Sequence, residues 1–144
     1  MIDISAKYMG LKLKSPVIAS SSGLTNNMDT LREIEKSGAG AVVLRSLFEE
    51  EILNKIDLLS GSTKNVAYAR EAGDYLNVFT RQESLDGYVN LIKEAKEKLT
   101  IPVIASINAV SANEWTGFAK DFEQAGADAL ELNIFYVPTA RNEK

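Results

Sequence analysis

The sequence predicts an α/β protein in which short buried parallel strands alternate with helices. Three observations point that way. Pro16-Val17-Ile18-Ala19-Ser20 recurs letter for letter as Pro102-Val103-Ile104-Ala105-Ser106. Gly38-Ala39-Gly40-Ala41-Val42-Val43-Leu44 is echoed by Gly126-Ala127-Asp128-Ala129-Leu130-Glu131-Leu132, in the same order and at nearly the same offset. Each copy of the first motif is followed by a helix-like segment and then by a copy of the second, so two β-α-β units stand in tandem.

Taken in order, Ile2 to Tyr8 alternates apolar and polar residues, Met9-Gly10 turns the chain, and Leu11 to Lys14 returns it. That is a hairpin with one apolar face and lysines on the other. Pro16 to Ala19 reads as the first buried strand, and Ser20-Ser21-Ser22-Gly23 as the loop at its end. Asn26, Asn27 and Asp29 offer caps for a helix running to about Lys36, with Leu31 and Ile34 inward. Ala41 to Leu44 is the second strand, ending on Arg45 and Ser46.

Glu49 to Leu59 has helical spacing in Ile52, Leu53, Ile56 and Leu59. Residues 61–75 are polar and read as loop. Ser84 reads as the cap of the next helix, whose inner face is Leu85, Tyr88, Val89, Ile92 and Ala95. Pro102 opens the third strand. Ser111 with Glu114 forms a capping box before a helix that turns Trp115, Phe118, Ala119 and Phe122 inward. Gly126 can take the left-handed conformation that closes it. Ala129 to Leu132 is the fourth strand, and Asn133 sits where it emerges.

Composition narrows the chemistry. The chain of 144 residues is 45% hydrophobic and 25% charged, as expected of one ordinary globular domain. A net charge of −4 gives no support for nucleic-acid binding, and no basic cluster suggests a membrane surface. No apolar run approaches the ~18 residues of a spanning helix, and no signal peptide is evident, so a cytoplasmic location is expected. With Cys 0 and His 0, disulfides, Cys/His metal sites, thiol nucleophiles and Ser-His triads are excluded within this chain. No metal site is expected. Proton transfer falls to carboxylate, Lys, Tyr, Ser or a cofactor.

Four core strands, each but the last followed by a helix, make half of a (β/α)8 barrel, which has eight strands in typically ~250 residues. Residues 1–144 are therefore read as a single domain of four β/α units, the N-terminal half of a TIM barrel carrying an N-terminal β-hairpin. The chain's end at Lys144 falls where a fourth helix is due. The alternative is a small open doubly wound sheet, but no Gly-rich nucleotide fingerprint marks one.

The hairpin, SPVIASSSG, GAGAVVLRS, the Asn77 region and above all ALELN resemble the dihydroorotate dehydrogenase family of flavin-dependent barrels, along the whole chain but over only the first half of the family's barrel. The resemblance implies an FMN-dependent oxidoreductase of pyrimidine biosynthesis. The resemblance also implies FMN over the barrel mouth, taking hydride from a dihydropyrimidine while a base removes a proton. It assigns Ala19, Ser20, Ser21, Ser22 and Gly23 to the loop beside the flavin, where small residues permit close approach; a plain polar loop is the other reading.

Arg45-Ser46 matches the family's Lys-Ser, with Arg keeping the charge but not the shape. Asn108 either faces the flavin or forms a turn. Asn77 matches a substrate-binding Asn, although the residues around it depart from the family's pattern. Asn133 matches the Asn that touches both flavin and substrate. Where the family carries a Cys or Ser base this chain has Tyr136, a poor base near its ordinary pKa of about 10.

Either Tyr136 is recruited as the catalytic residue, or the chemistry is not dihydroorotate oxidation, or Phe135 and Tyr136 simply pack the loop. Glu131 needs a cationic partner, supplied by the barrel's other half. Expected partners are a small-molecule substrate and, through unpaired strand edges, a second copy or a C-terminal complement. The competing readings are a non-redox half-barrel scaffold and a non-flavin lyase or isomerase.

Overall fold

A computed structural model describes residues 2–60, 68–108 and 112–134. The chain opens with a hairpin of β1 (Ala6–Tyr8) and β2 (Leu11–Leu13), in which Ala6 pairs with Leu13. Met9 and Gly10 turn it with φ of 51° and 80°. Two successive positive φ values match the twist of the flanking strands.

β3 (Ile18–Ala19), a 3-10 turn (Gly23–Thr25) and α1 (Met28–Lys36) follow. Asn27 caps α1 by accepting from the Thr30 amide, and Gly38 past its end has φ 96°. Next come β4 (Ala41–Val43), β5 (Leu47–Phe48), α2 (Glu49–Ser60) and α3 (Tyr68–Lys98). β6 (Val103–Asn108), α4 (Ala112–Gln124) and β7 (Ala129–Leu132) complete the described chain, and Gly126 closes α4 at φ 94°, as its sequence position suggests.

The strands lie parallel and in chain order. β3 pairs with β4, β4 and β5 share one edge of β6, and β7 takes the other edge, with Ile104 facing both Val43 and Ala129. The helices sit on one face. Leu31, Ile92, Ala95, Phe118 and Phe122 from α1, α3 and α4 pack with Val42, Leu44, Val103, Ala105 and Ile107. The hairpin covers the opposite face, where Leu13 meets Ala41, Val43 and Ile104.

A doubly wound sheet would reverse its strand order and place helices on both faces. Neither occurs among the described residues. The arrangement is that of four consecutive strands of a (β/α)8 barrel, with the hairpin closing the inner face near the strands' amino ends.

Two expectations fail. The polar stretch before Ser84 is not loop up to Tyr75: α3 begins at Tyr68 and runs unbroken past Asn77 and Ser84. No proline interrupts residues 68–98, and Ala, Arg, Glu, Leu and Gln favour helix there. Ser84 therefore caps nothing; its hydroxyl donates back to the Thr80 carbonyl one turn earlier. The capping box at Ser111 lies outside the described residues.

The second strand is also longer than it reads. β4 meets β6 as Val42 with Val103, whereas β5 meets it as Leu47 with Ile107. One extra residue between them makes a bulge at Leu44 to Ser46, beside the strand ends.

At the other end of the sheet, Glu35 of α1 accepts from the Thr100 amide at 2.7 Å and its hydroxyl at 2.6 Å. Desolvation raises its pKa, but the Thr100 bonds and the nearby Lys14 charge outweigh it, so the carboxyl sits below its ordinary 4.5. Its stabilising contribution is complete above that value and is lost as pH falls through the lower folded value. Glu35→Gln should flatten this part of the acid dependence, measured as denaturant midpoints above and below the window; an unchanged slope would remove Glu35 from it.

Candidate functional site

Four successive strands deliver one polar side chain each to the inner face. Ser21 follows β3, Ser46 precedes β5, Ser106 lies in β6 and Glu131 in β7. The Ser106 hydroxyl donates to Glu131 Oε1 at 2.6 Å. Ser46 and Ser106 hydroxyls are 2.6 Å apart, and Ser21 and Ser46 hydroxyls 3.2 Å apart.

A carboxylate only accepts, so the direction propagates: Ser46 donates to Ser106, and Ser21 donates to Ser46. Ser21 in turn accepts the Ser46 amide at 2.9 Å. Ser106 is 0% exposed and Ser46 4%. Burying hydroxyls costs free energy unless they are bonded, and here the chain of bonds holds each in one orientation.

Above it, β6 and β7 end on two asparagines. Asn133 continues the strand ladder by donating its amide to the Ile107 carbonyl at 2.8 Å. The buried Asn108 donates its side-chain Nδ2 to the Asn133 carbonyl at 2.6 Å. Asn108 lies in β6 rather than in a turn, and this bond clamps the neighbouring strand end. The Asn133 side chain makes no hydrogen bond among the described residues.

The remaining expectations divide. Ala19 is half-buried in β3 and Ser20 is exposed. Ser22 accepts from the Leu24 amide and caps the 3-10 turn, so its oxygen is used structurally. A Cβ on Gly23 would meet no atom within 4 Å, which leaves the loop open to close approach.

Arg45 bonds Glu51 of α2 at 2.6 Å and, among the described residues, makes no bond to the serines. It lines a pocket of ≈ 180 Å³ with Ser46, Asn26, Gly87, Tyr88 and Leu91. Asn77 falls within α3 rather than in a loop, because the helix starts earlier than its polar sequence suggests. Tyr136 lies outside the described residues.

Glu131 needs no cationic partner to be bonded, since Ser106 donates to it. Ser106 and Tyr88 were not legible as site residues. The letter-for-letter repeat hid Ser106, because its counterpart Ser20 is exposed and does not join the chain. Alternation did offer one signal: it places Ser106 on the same face as Ile104, opposite Glu131.

No family model matches the chain. Among curated proteins it is 28% identical to the dihydroorotate dehydrogenase B (NAD(+)) catalytic subunit of Thermoplasma volcanium, over 93% of this chain and 42% of that protein. It is 30% identical to the subunit of the same name from Thermoplasma acidophilum, with the same two shares. The one from Methanocella arvoryzae is 31% identical over 91% of this chain and 40% of its own length. The chain spans about two fifths of the curated relatives it matches, in their N-terminal part. By sequence the chain is similar to the N-terminal part of dihydroorotate dehydrogenase catalytic subunits, and its strand order is that of half a barrel.

Proposed function

We propose that the chain contributes the N-terminal part of an FMN-dependent oxidoreductase that oxidises a dihydropyrimidine-like substrate. The observation that carries this reading is the convergence of Ser21, Ser46, Ser106, Glu131, Asn108 and Asn133 at the carboxyl-end side of successive parallel strands. Ligands bind at that edge in barrels, because strand ends hold side chains rigidly beside an open crevice.

The residues fit a planar polar ring. The Ser20 to Gly23 loop is small and open at Gly23, and Asn133 offers an uncommitted amide donor and acceptor. When bound, FMN supplies the hydride-accepting group. Asn133 orients ring and substrate, Asn108 holds Asn133, and the serine chain fixes the polar floor. Arg45 brings a positive charge to the β4 end, balanced by Glu51. Asn77 is assigned to the substrate and Tyr136 to the proton, a role that needs a phenol perturbed from about 10.

Among the described residues β3 and β7 each have one strand neighbour. Apolar hollows of ≈ 370 Å³ by Val17, Ala19 and Ile34 and ≈ 300 Å³ by Phe122 and Leu130 flank these two edges. We expect the chain to self-associate or to pair with a C-terminal complement. Alone it should bind FMN at micromolar or weaker affinity, since barrel phosphate sites belong to the last strands.

Sedimentation and FMN titration, with and without the complement, test this. A monomer holding FMN at nanomolar affinity would overturn the pairing. No flavin absorbance in either form would overturn the cofactor.

A further inference from the structure

The bulge before β5 has a cause in the helix layer. In an unbroken parallel ladder, Leu44 would bond both sides of Ala105, and Ser46 would follow on Ser106. The first half is present: the Leu44 amide donates to the Ile104 carbonyl at 2.9 Å. The second half is replaced. The Ser106 amide donates to the Tyr88 hydroxyl at 2.9 Å, and that hydroxyl donates to the Ser106 carbonyl at 3.1 Å. The Ser46 amide, displaced from the ladder, goes to Ser21.

We propose that Tyr88 is a positioning residue for the strand-end site: its hydroxyl takes both backbone bonding places of Ser106 and thereby holds open the one-residue bulge. The consequence is a change of side. Regular alternation along β4 puts Ala41 and Val43 on the inner face and Val42 and Leu44 on the helix face. Continued without a bulge, it would turn Arg45 inward and Ser46 toward the helices. With the bulge, Ser46 meets Ser106 instead, and Arg45 lies beside Tyr88 and Leu91 on its ion pair with Glu51.

Tyr88 is built for this. Its ring lies 4.9 Å from that of Phe122, which fixes its reach. Burial, and more weakly the Glu131 charge, raise its pKa well above the ordinary 10, with the Ser106 backbone opposing, so the hydroxyl keeps the proton it donates.

The test is Tyr88→Phe in the 144-residue chain, with Val89→Ala as a packing control. Val89 flanks the same cluster but reaches no polar group. The readouts are amide hydrogen exchange at Ser46 and Ser106 and the dissociation constant of added FMN. Tyr88→Phe should change exchange at both amides at least tenfold, and weaken FMN at least tenfold. Val89→Ala should lower the thermal midpoint while leaving both unchanged.

Only the effect on FMN rests on the flavin reading. If the unaltered chain binds no FMN either alone or with its C-terminal complement, that reading fails while the two amides still decide. Unchanged exchange at Ser46 and Ser106 in Tyr88→Phe, or an equal change in Val89→Ala, overturns the positioning role.

Discussion

Gly40→Ala should remove a large share of the stability of this fold. A Cβ built on Gly40 would lie 1.9 Å from the Ser15 carbonyl oxygen and 2.9 Å from its carbon. These are backbone atoms, so no flexible side chain can swing aside. The Gly40 amide also donates to the Val17 carbonyl at 2.7 Å, which holds the two segments at this separation.

Relief requires moving the link between the hairpin and β3 away from β4, which opens the contact of Leu13 with Ala41 and Val43. Overpacking commonly costs about 1–3 kcal/mol, and we expect about 3 kcal/mol or more here because backbone must yield. That is a large share of the roughly 5–15 kcal/mol of a typical domain. Gly117→Ala is the control: it meets open space in α4 and should be neutral or stabilising by up to about 1 kcal/mol. Denaturant unfolding of both variants decides it, and a Gly40→Ala chain as stable as its parent would refute the close-approach argument.

Asn133→Ala should lower turnover about a hundredfold or more in the enzyme assembled from this chain and its C-terminal complement, with the fold intact. The fold survives because both structural bonds at this position are backbone bonds: the amide to Ile107 and the carbonyl from Asn108. The side chain makes no hydrogen bond among the described residues, and on the proposed reading its loss falls on the ligand. A buried hydrogen bond left unmade costs about 1–3 kcal/mol, on the order of tenfold to a few hundredfold in rate. Steady-state kinetics with circular dichroism separates the two effects; full turnover in the folded variant would take Asn133 out of the site.

What the sequence determined by itself is the alternation of strand and helix, and with it the position of the carboxyl edge, where barrels bind their ligands. The two repeats mark β3, β4, β6 and β7 because strands of a parallel sheet read as short apolar runs. Gly38 and Gly126 mark the helix ends because left-handed backbone favours a residue without Cβ. Asn133 was legible too, since a polar residue directly after such a strand has to emerge at the carboxyl edge.

Only the tertiary structure decided the rest. Gly40 looks like any glycine in a strand lead until Ser15, from another segment, is laid against it. Tyr88 reads as one more apolar position on α3, and its hydroxyl acquires a role only where β6 passes within bonding distance. That contact sets the bulge, and the bulge sets which of Arg45 and Ser46 faces the serine chain. Asn108 and Glu131 likewise depend on strands that meet side by side but lie far apart in the chain. Local pattern encodes which backbone a segment adopts; which polar groups find each other is settled by strand register, and register is a property of pairs of strands.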